Sequence, residues 1–210
     1  MISPGDALTN PVTGETLIFH KTSAETNGDF VLVETILHPH GFVAAAHVHP
    51  NQTERFEILE GIVEFRIGRN TQVGEPGDTA FVPPGTPHRF RNLGEAAARF
   101  LCEIRPALQF ESLIEIMFTL AGEGKTNRRG IPNLLRLAVI ADAHFDTVRL
   151  PFPPAVLQQA ALAAGAPLGR LLGYQPRTTR HVTDTRPHTL PDRRHDRGRP
   201  GQPRAQESRR

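Results

Sequence analysis

The sequence predicts an all-β core, a jelly-roll barrel, followed by an α-helical C-terminal extension. Two observations carry that prediction. Between residues 12 and 105 about eight short apolar runs with strand-like alternation are separated by Gly, Pro and Asn turns, which is the pattern of a sandwich or barrel. After Pro106 the apolar period lengthens from two to about 3.6, the repeat of a helix. The expected organisation is an N-terminal arm over 1–11, the barrel over 12–105, helices over 106–174 and a basic, disordered tail over 175–210.

Residues 1–15 are polar and rich in turn formers (Pro4, Gly5, Asp6, Pro11, Gly14), as in an arm or an edge segment. No helix-turn-helix fits there, which argues against a transcription factor with a sensor domain. Leu17–His20 and Phe30–Leu37 read as strands around Asn27-Gly28, a strong tight-turn signal. Further strands are expected at Ala44–His49, Arg55–Leu59, Ile62–Ile67, Thr79–Val82, His88–Asn92 and Ala98–Ile104. Their alternation places Phe56, Ile58, Val63, Phe65, Phe81, Phe90 and Phe100 inward, and Glu57, Glu64, Arg66, Arg89 and Arg91 outward.

In the extension, Leu113, Ile116, Met117 and Leu120 share one helical face, with Gly122 as a stop. Leu134, Leu137, Ala138 and Ala141 repeat the pattern behind Asn133, a candidate cap. A third apolar run, Pro153–Leu172, is long enough for a bilayer, but Arg170, Gln158, Gln159 and the breakers Gly165, Pro167 and Gly169 count against a membrane span. A helical cap on the barrel, or a homodimer contact, is the expected use. Gly124-Lys125-Thr126 ends like a phosphate-binding loop, yet Thr119 stands where that motif needs glycine and a helix precedes it.

Charge is segregated. From Pro176 to Arg210 there are ten Arg against four acidic residues, a net of +6; the chain total is +2, so the body is mildly acidic at −4. Such a tail can touch polyanions but has too few aliphatics to fold, and no specific nucleic-acid partner is expected. Cys102 is the single cysteine, so no internal disulfide forms. The first residues lack a basic-then-apolar leader pattern, and a cytoplasmic setting is expected.

The chemistry concentrates between Gly41 and Asn92. His47 and His49 are two apart, a spacing that puts both imidazoles on one face only in a β-strand. Glu54 follows a turn-like Pro50–Thr53, and His88 follows Pro83, Pro84, Gly85 and Pro87. Three imidazoles and a carboxylate suit one divalent first-row transition metal ion: Fe, Mn, Ni, Co, Cu or Zn. A structural zinc site would be closed and usually richer in cysteine.

Gly41-x5-His47-x-His49-x4-Glu54-x6-Gly61 and Gly77-x5-Pro83-x-Gly85-x2-His88-x3-Asn92 resemble the two motifs of the cupin superfamily at every fixed position. Gly and Pro occur by chance at only about 7% and 5% of positions, so agreement at each one is not accidental. The resemblance covers about residues 12–105. It implies a cupin-type double-stranded β-helix, His47, His49, Glu54 and His88 as metal ligands, and glycines and prolines that shape turns. It specifies no reaction, because cupins include dioxygenases, decarboxylases, isomerases, cyclases, metal-free binding domains and storage proteins.

The expected activity is that of a metal-dependent, dioxygenase-like oxidoreductase acting on a small apolar or aromatic compound that chelates through oxygen. Glu54 would be the catalytic proton acceptor. The alternatives are a non-redox small-molecule-binding module and a metal-dependent isomerase or cyclase. His38 and His40 form a second His-x-His at a strand end and read as loop residues. Cys102 reads as a buried, inert thiol, and Tyr174 is too far from the motifs to serve as an acid.

Overall fold

The structure, a computed structural model, describes residues 1–176; all but the first two residues of the expected basic tail lie outside them. Nine strands precede three helices. They are β1 (Ala7–Asn10), β2 (Glu15–Lys21), β3 (Val31–Leu37), β4 (Thr53–Glu60), β5 (Val63–Ile67), β6 (Asn70–Gly74), β7 (Thr79–Val82), β8 (His88–Asn92) and β9 (Ala98–Arg105). The helices are α1 (Phe110–Gly122), α2 (Leu134–Ala143) and α3 (Ala155–Leu171). The strands form a six-stranded antiparallel sheet in the order β1-β2-β3-β9-β4-β7 and a three-stranded sheet β6-β5-β8. Together they make the jelly roll.

Period-two alternation decides what the barrel buries. Phe19, Val33, Phe56, Ile58, Val63, Phe65 and Phe100 lie in its core, while Glu57, Arg66, Arg89 and Arg91 face solvent. Phe56, Phe65, Phe90 and Phe100 form one aromatic cluster with ring centroids 5.0–6.2 Å apart, in tilted and edge-on arrangements that suit ring quadrupoles. Full burial of each such ring contributes roughly 2–3 kcal/mol.

Several local expectations are corrected. Phe81, expected inward, is 56% exposed; Ala80 and Val82 fill the core instead, because β4–β7 pairing sets Val82 opposite Glu54. Ala44–His49 is not a regular strand but an extended segment held by isolated bridges at Phe42, His47 and Val48. Residues 70–74, assigned no strand from the sequence, form β6, which pairs antiparallel with β5. β1, in the expected arm, hydrogen-bonds to β2 at the sheet edge.

Asn27 and Gly28 both adopt positive φ, as a tight turn requires, although the loop joining β2 and β3 is longer than two residues. Gly61 is obligatory for two reasons. Its φ is +79°, and a Cβ there would lie 2.7 Å from the Ala98 Cα atom.

The helices pack in sequence onto the barrel. α1 is two-sided: Phe110 and Phe118 join the barrel core, whereas Leu113, Ile116 and Leu120 meet Ile140 of α2. Gly122 ends α1, but the left-handed backbone after it belongs to Gly124. Asn133 caps α2 by accepting the Arg136 N–H at 3.0 Å. The buried face of α2 is Val139 and Ile140, not the Leu134-Leu137-Ala138-Ala141 stripe, and Leu134 is 79% exposed.

Ile140 is covered by α1 and Val139 by α3, which runs unbroken through Pro167. Gly165 and Gly169, one turn apart, are packing positions against α2 and not breakers: Cβ atoms there would lie 3.2 Å from Ala138 and 2.6 Å from Val139. No helix among the described residues is long and apolar enough to cross a membrane.

Candidate metal centre

Three backbone connections bring the four residues together. His47 and His88 face each other across an antiparallel bridge, exchanging N–H···O bonds of 3.0 and 2.9 Å. The turn at Pro83–Gly85 returns to the same segment, and the Gly85 N–H donates to the His49 carbonyl at 2.8 Å. Glu54 lies at the start of β4 with its side chain on the inner face, between Ile104 of β9 and Val82 of β7.

One ligand atom from each of His47, His49, Glu54 and His88 falls within 4.8 Å of every other. His49, Glu54 and His88 are buried and His47 is partly exposed. The imidazole centroids are 4.2 Å apart for His47 and His88, 4.9 Å for His47 and His49, and 5.5 Å for His49 and His88.

Tautomers follow from the acceptors. The Nδ1 atoms of His47, His49 and His88 lie 2.9, 2.6 and 3.0 Å from the carbonyls of Ala45, Thr147 and Thr86. A carbonyl can only accept, so each Nδ1 carries the hydrogen and donates. In the neutral ring each Nε2 then keeps its lone pair, the ligand form of histidine, with the ring held in orientation by its backbone partner.

The donors fit a cation. The Glu54 Oε2 atom and His88 Nε2 are 2.6 Å apart, both fully buried, and neither has a hydrogen-bond partner among the described residues. Two facing acceptors at that distance repel unless a proton or a metal ion lies with them.

The ionisation pattern agrees. Burial would raise the Glu54 carboxyl, but His49 and His88 outweigh it and hold the carboxyl well below the usual carboxylate range. Burial, reinforced by His88 and His49, pushes His47 down to about 3, so it stays neutral. Burial opposes protonation of His49 too, yet the Glu54 carboxylate at 3.4 Å overcomes it and raises His49 above the ordinary imidazole value. The cluster thus holds an anion and attracts one positive charge.

The structure brings all four sequence-assigned residues to one point. His38 and His40 are exposed and stand apart from this cluster. Cys102 is buried on the inner face of β9, and burial with the nearby Glu54 charge raises its thiol well above the ordinary value. It is poorly nucleophilic in that state.

Two contributors escaped sequence reasoning. The Thr147 carbonyl acts through backbone and leaves no residue signature. Gln52, fully buried, has its amide Nε2 tied to the Pro106 and Ala107 carbonyls at 2.8 and 3.0 Å. Its spacing of two from Glu54 was the available signal. Asn92, at the end of the second motif, donates toward the Leu37, His38 and Ala96 carbonyls and accepts the Gly94 N–H, so its role is to tie strand ends together.

A family model described as Cupin domain matches residues 26–103. An uncharacterized protein of Methanocaldococcus jannaschii is 32% identical over 80 residues, 38% of this chain and 63% of that protein. The match therefore spans less than two thirds of that relative's length. Among solved structures, a Thermus thermophilus protein is 28% identical with a TM-score of 0.42, covering 47% of this chain and 88% of that one. A Thermotoga maritima protein described as a predicted oxalate decarboxylase is 23% identical with a TM-score of 0.43, covering 48% and 90%. The two motifs, the jelly roll, the His-His-Glu-His cluster and the matching family model lead to one assignment: residues 26–103 are a cupin domain.

Proposed function

We propose that the chain is a metal-dependent oxidoreductase of dioxygenase type, acting on a small apolar or aromatic compound that chelates through oxygen. The observation that carries this reading is the orientation of three Nε2 lone pairs and an ionised carboxylate toward one buried point. His47, His49, Glu54 and His88 would hold the ion. A divalent transition metal supplies Lewis acidity and, for redox-active ions, electron transfer with dioxygen.

The protein's own residues supply the rest. Phe90 follows His88 by two and Phe56 follows Glu54 by two, so both rings line the inner face next to the site and favour an apolar substrate. Glu54 is ionised and buried, and it accepts the hydroxyl proton of the incoming substrate.

The test is oxygen uptake on flavonols, diketones and catechols with Fe, Mn, Ni or Co loaded in turn; no turnover with any metal overturns it. Elemental analysis of the natively purified protein should show metal that His47→Ala and Glu54→Ala both lose. Retention in both variants breaks the ligand assignment.

The enclosure of the site favours a second reading, since only His47 has appreciable exposure. That reading is a non-redox module that captures a small ligand at the metal. Tight ligand binding with an inert oxygen electrode would assign it. An isomerase or cyclase would instead reveal itself by product analysis without oxygen consumption. We also propose a homodimer in the cytoplasm, supported by exposed apolar residues of the extension such as Leu134, Val156 and Leu171.

A further inference from the structure

The connector between α2 and α3, far outside the cupin motifs, reaches back to the metal centre. Thr147 is buried, and its carbonyl accepts the His49 Nδ1–H at 2.6 Å across 98 residues of sequence. Two residues on, Arg149 bridges to Val48, the residue between the two motif histidines. The Arg149 N–H donates to the Val48 carbonyl at 2.8 Å, and the Val48 N–H donates back at 2.9 Å. The Asn51 Nδ2 atom donates to the Asp146 carbonyl at 3.1 Å. Residues 146–149 thus run along Val48–Asn51 as a strap.

The strap is anchored behind as well. The Thr147 and Val148 N–H groups donate to the His144 carbonyl, each at 2.9 Å, and His144 itself is buried just past the C-terminal end of α2. Val148 packs on the cluster of Leu113, Ile116, Leu120 and Ile140 that joins α1 to α2. The Arg149 guanidinium stacks on the Phe145 ring at 4.3 Å and donates to the Phe145 carbonyl.

We infer that docking of this strap and metal binding at the cluster are coupled, with Thr147 acting as the positioning residue for His49. The inference rests on the metal reading above and deepens it. With the strap docked, only the Nδ1–H tautomer of His49 avoids setting a lone pair against the Thr147 carbonyl, so Nε2 is presented to the ion. A cation on Nε2 makes the Nδ1–H a stronger donor, which tightens the bond to Thr147. The coupling is therefore reciprocal: metal stabilises the docked helical extension, and the docked extension raises metal affinity. Loss of such an outer partner weakens metal binding by roughly 10- to 100-fold.

The test uses the full chain, wild type and Arg149→Pro, the latter lacking the N–H that bonds Val48. Loaded with Co(II), the wild type should show three exchangeable imidazole N–H resonances shifted by the ion, from His47, His49 and His88. The variant should lose one of them and bind Co(II) at least about tenfold more weakly in competition titrations. In the wild type, Co(II) should also slow amide hydrogen exchange at residues 146–149, a measurement that stands even if the variant does not fold. Unchanged affinity with all three resonances in a folded variant, or exchange at 146–149 indifferent to the ion, overturns the coupling while leaving the metal site intact. Failure of the wild type to take up Co(II) overturns the metal reading and the coupling with it.

Discussion

Glu15 shows how one side chain can govern pH behaviour away from the His-His-Glu-His cluster. It sits buried at the start of β2 with Thr13 Oγ1 donating to its carboxylate at 2.8 Å. Burial, only partly offset by that bond, raises the carboxyl to about 7. Below about 4.5 the folded and unfolded chains are both protonated there; between 4.5 and about 7 only the unfolded chain gives up the proton. Stability contributed by the protonated acid is therefore present below 4.5 and lost as pH rises to about 7. At 1.36 kcal/mol per unit the loss is on the order of 3 kcal/mol. Glu15→Gln should remove this dependence, gaining denaturant stability over the wild type at pH 8 and little at pH 4. Equal urea midpoints at both values would refute the assignment. Alternation placed the motif residues and most of the core correctly, but it gave no warning of Glu15, because a buried acid has the strand parity of an apolar residue. Phe81 is the converse case, an apolar residue at an outward position.

At the scale of elements, turns and helix faces carry the geometry. Gly61 joins β4 to β5 where the backbone of Ala98 leaves no room for a side chain, so Gly61→Ala should cost about 2 kcal/mol or more in chemical denaturation. A change under half a kcal/mol would show that the Ala98 segment yields. The glycines of the motifs were legible as turn formers because their positions recur between strand runs. Gly165 and Gly169 were legible only as breakers, since a glycine that ends a helix and one that admits a neighbouring helix look alike in sequence. The close approach of α2 and α3 distinguishes them. It also explains why α2 buries Val139, which lies against Gly169 of α3, while Ile140 is buried against α1: the face against α3 is chosen by where small residues permit contact, not by the most apolar stripe.

At the scale of the molecule, the barrel, α1 and the α2–α3 pair form a continuous packed path that ends at His49. Exposed Leu134, Val156, Leu168 and Leu171 remain on the extension, an apolar surface that a second copy would cover. Light scattering at micromolar concentration should give the mass of a dimer, and Leu171→Asp should shift it toward monomer. A monomeric wild type refutes the homodimer. Should both hold, metal occupancy and association would be linked through the same helices that carry the strap.

The sequence by itself determined the jelly roll, the switch to helices after Pro106, and which four side chains, His47, His49, Glu54 and His88, converge. Those follow from local rules: strand parity, turn chemistry and the spacing of donors along one chain. Only the tertiary structure decided the Nδ1–H tautomers, the buried meeting of Glu54 Oε2 with His88 Nε2, and the approach of Thr147 to His49. These depend on backbone carbonyls and on segments about a hundred residues apart. A carbonyl is the same in every residue, so no pattern of side chains announces which one will face an imidazole.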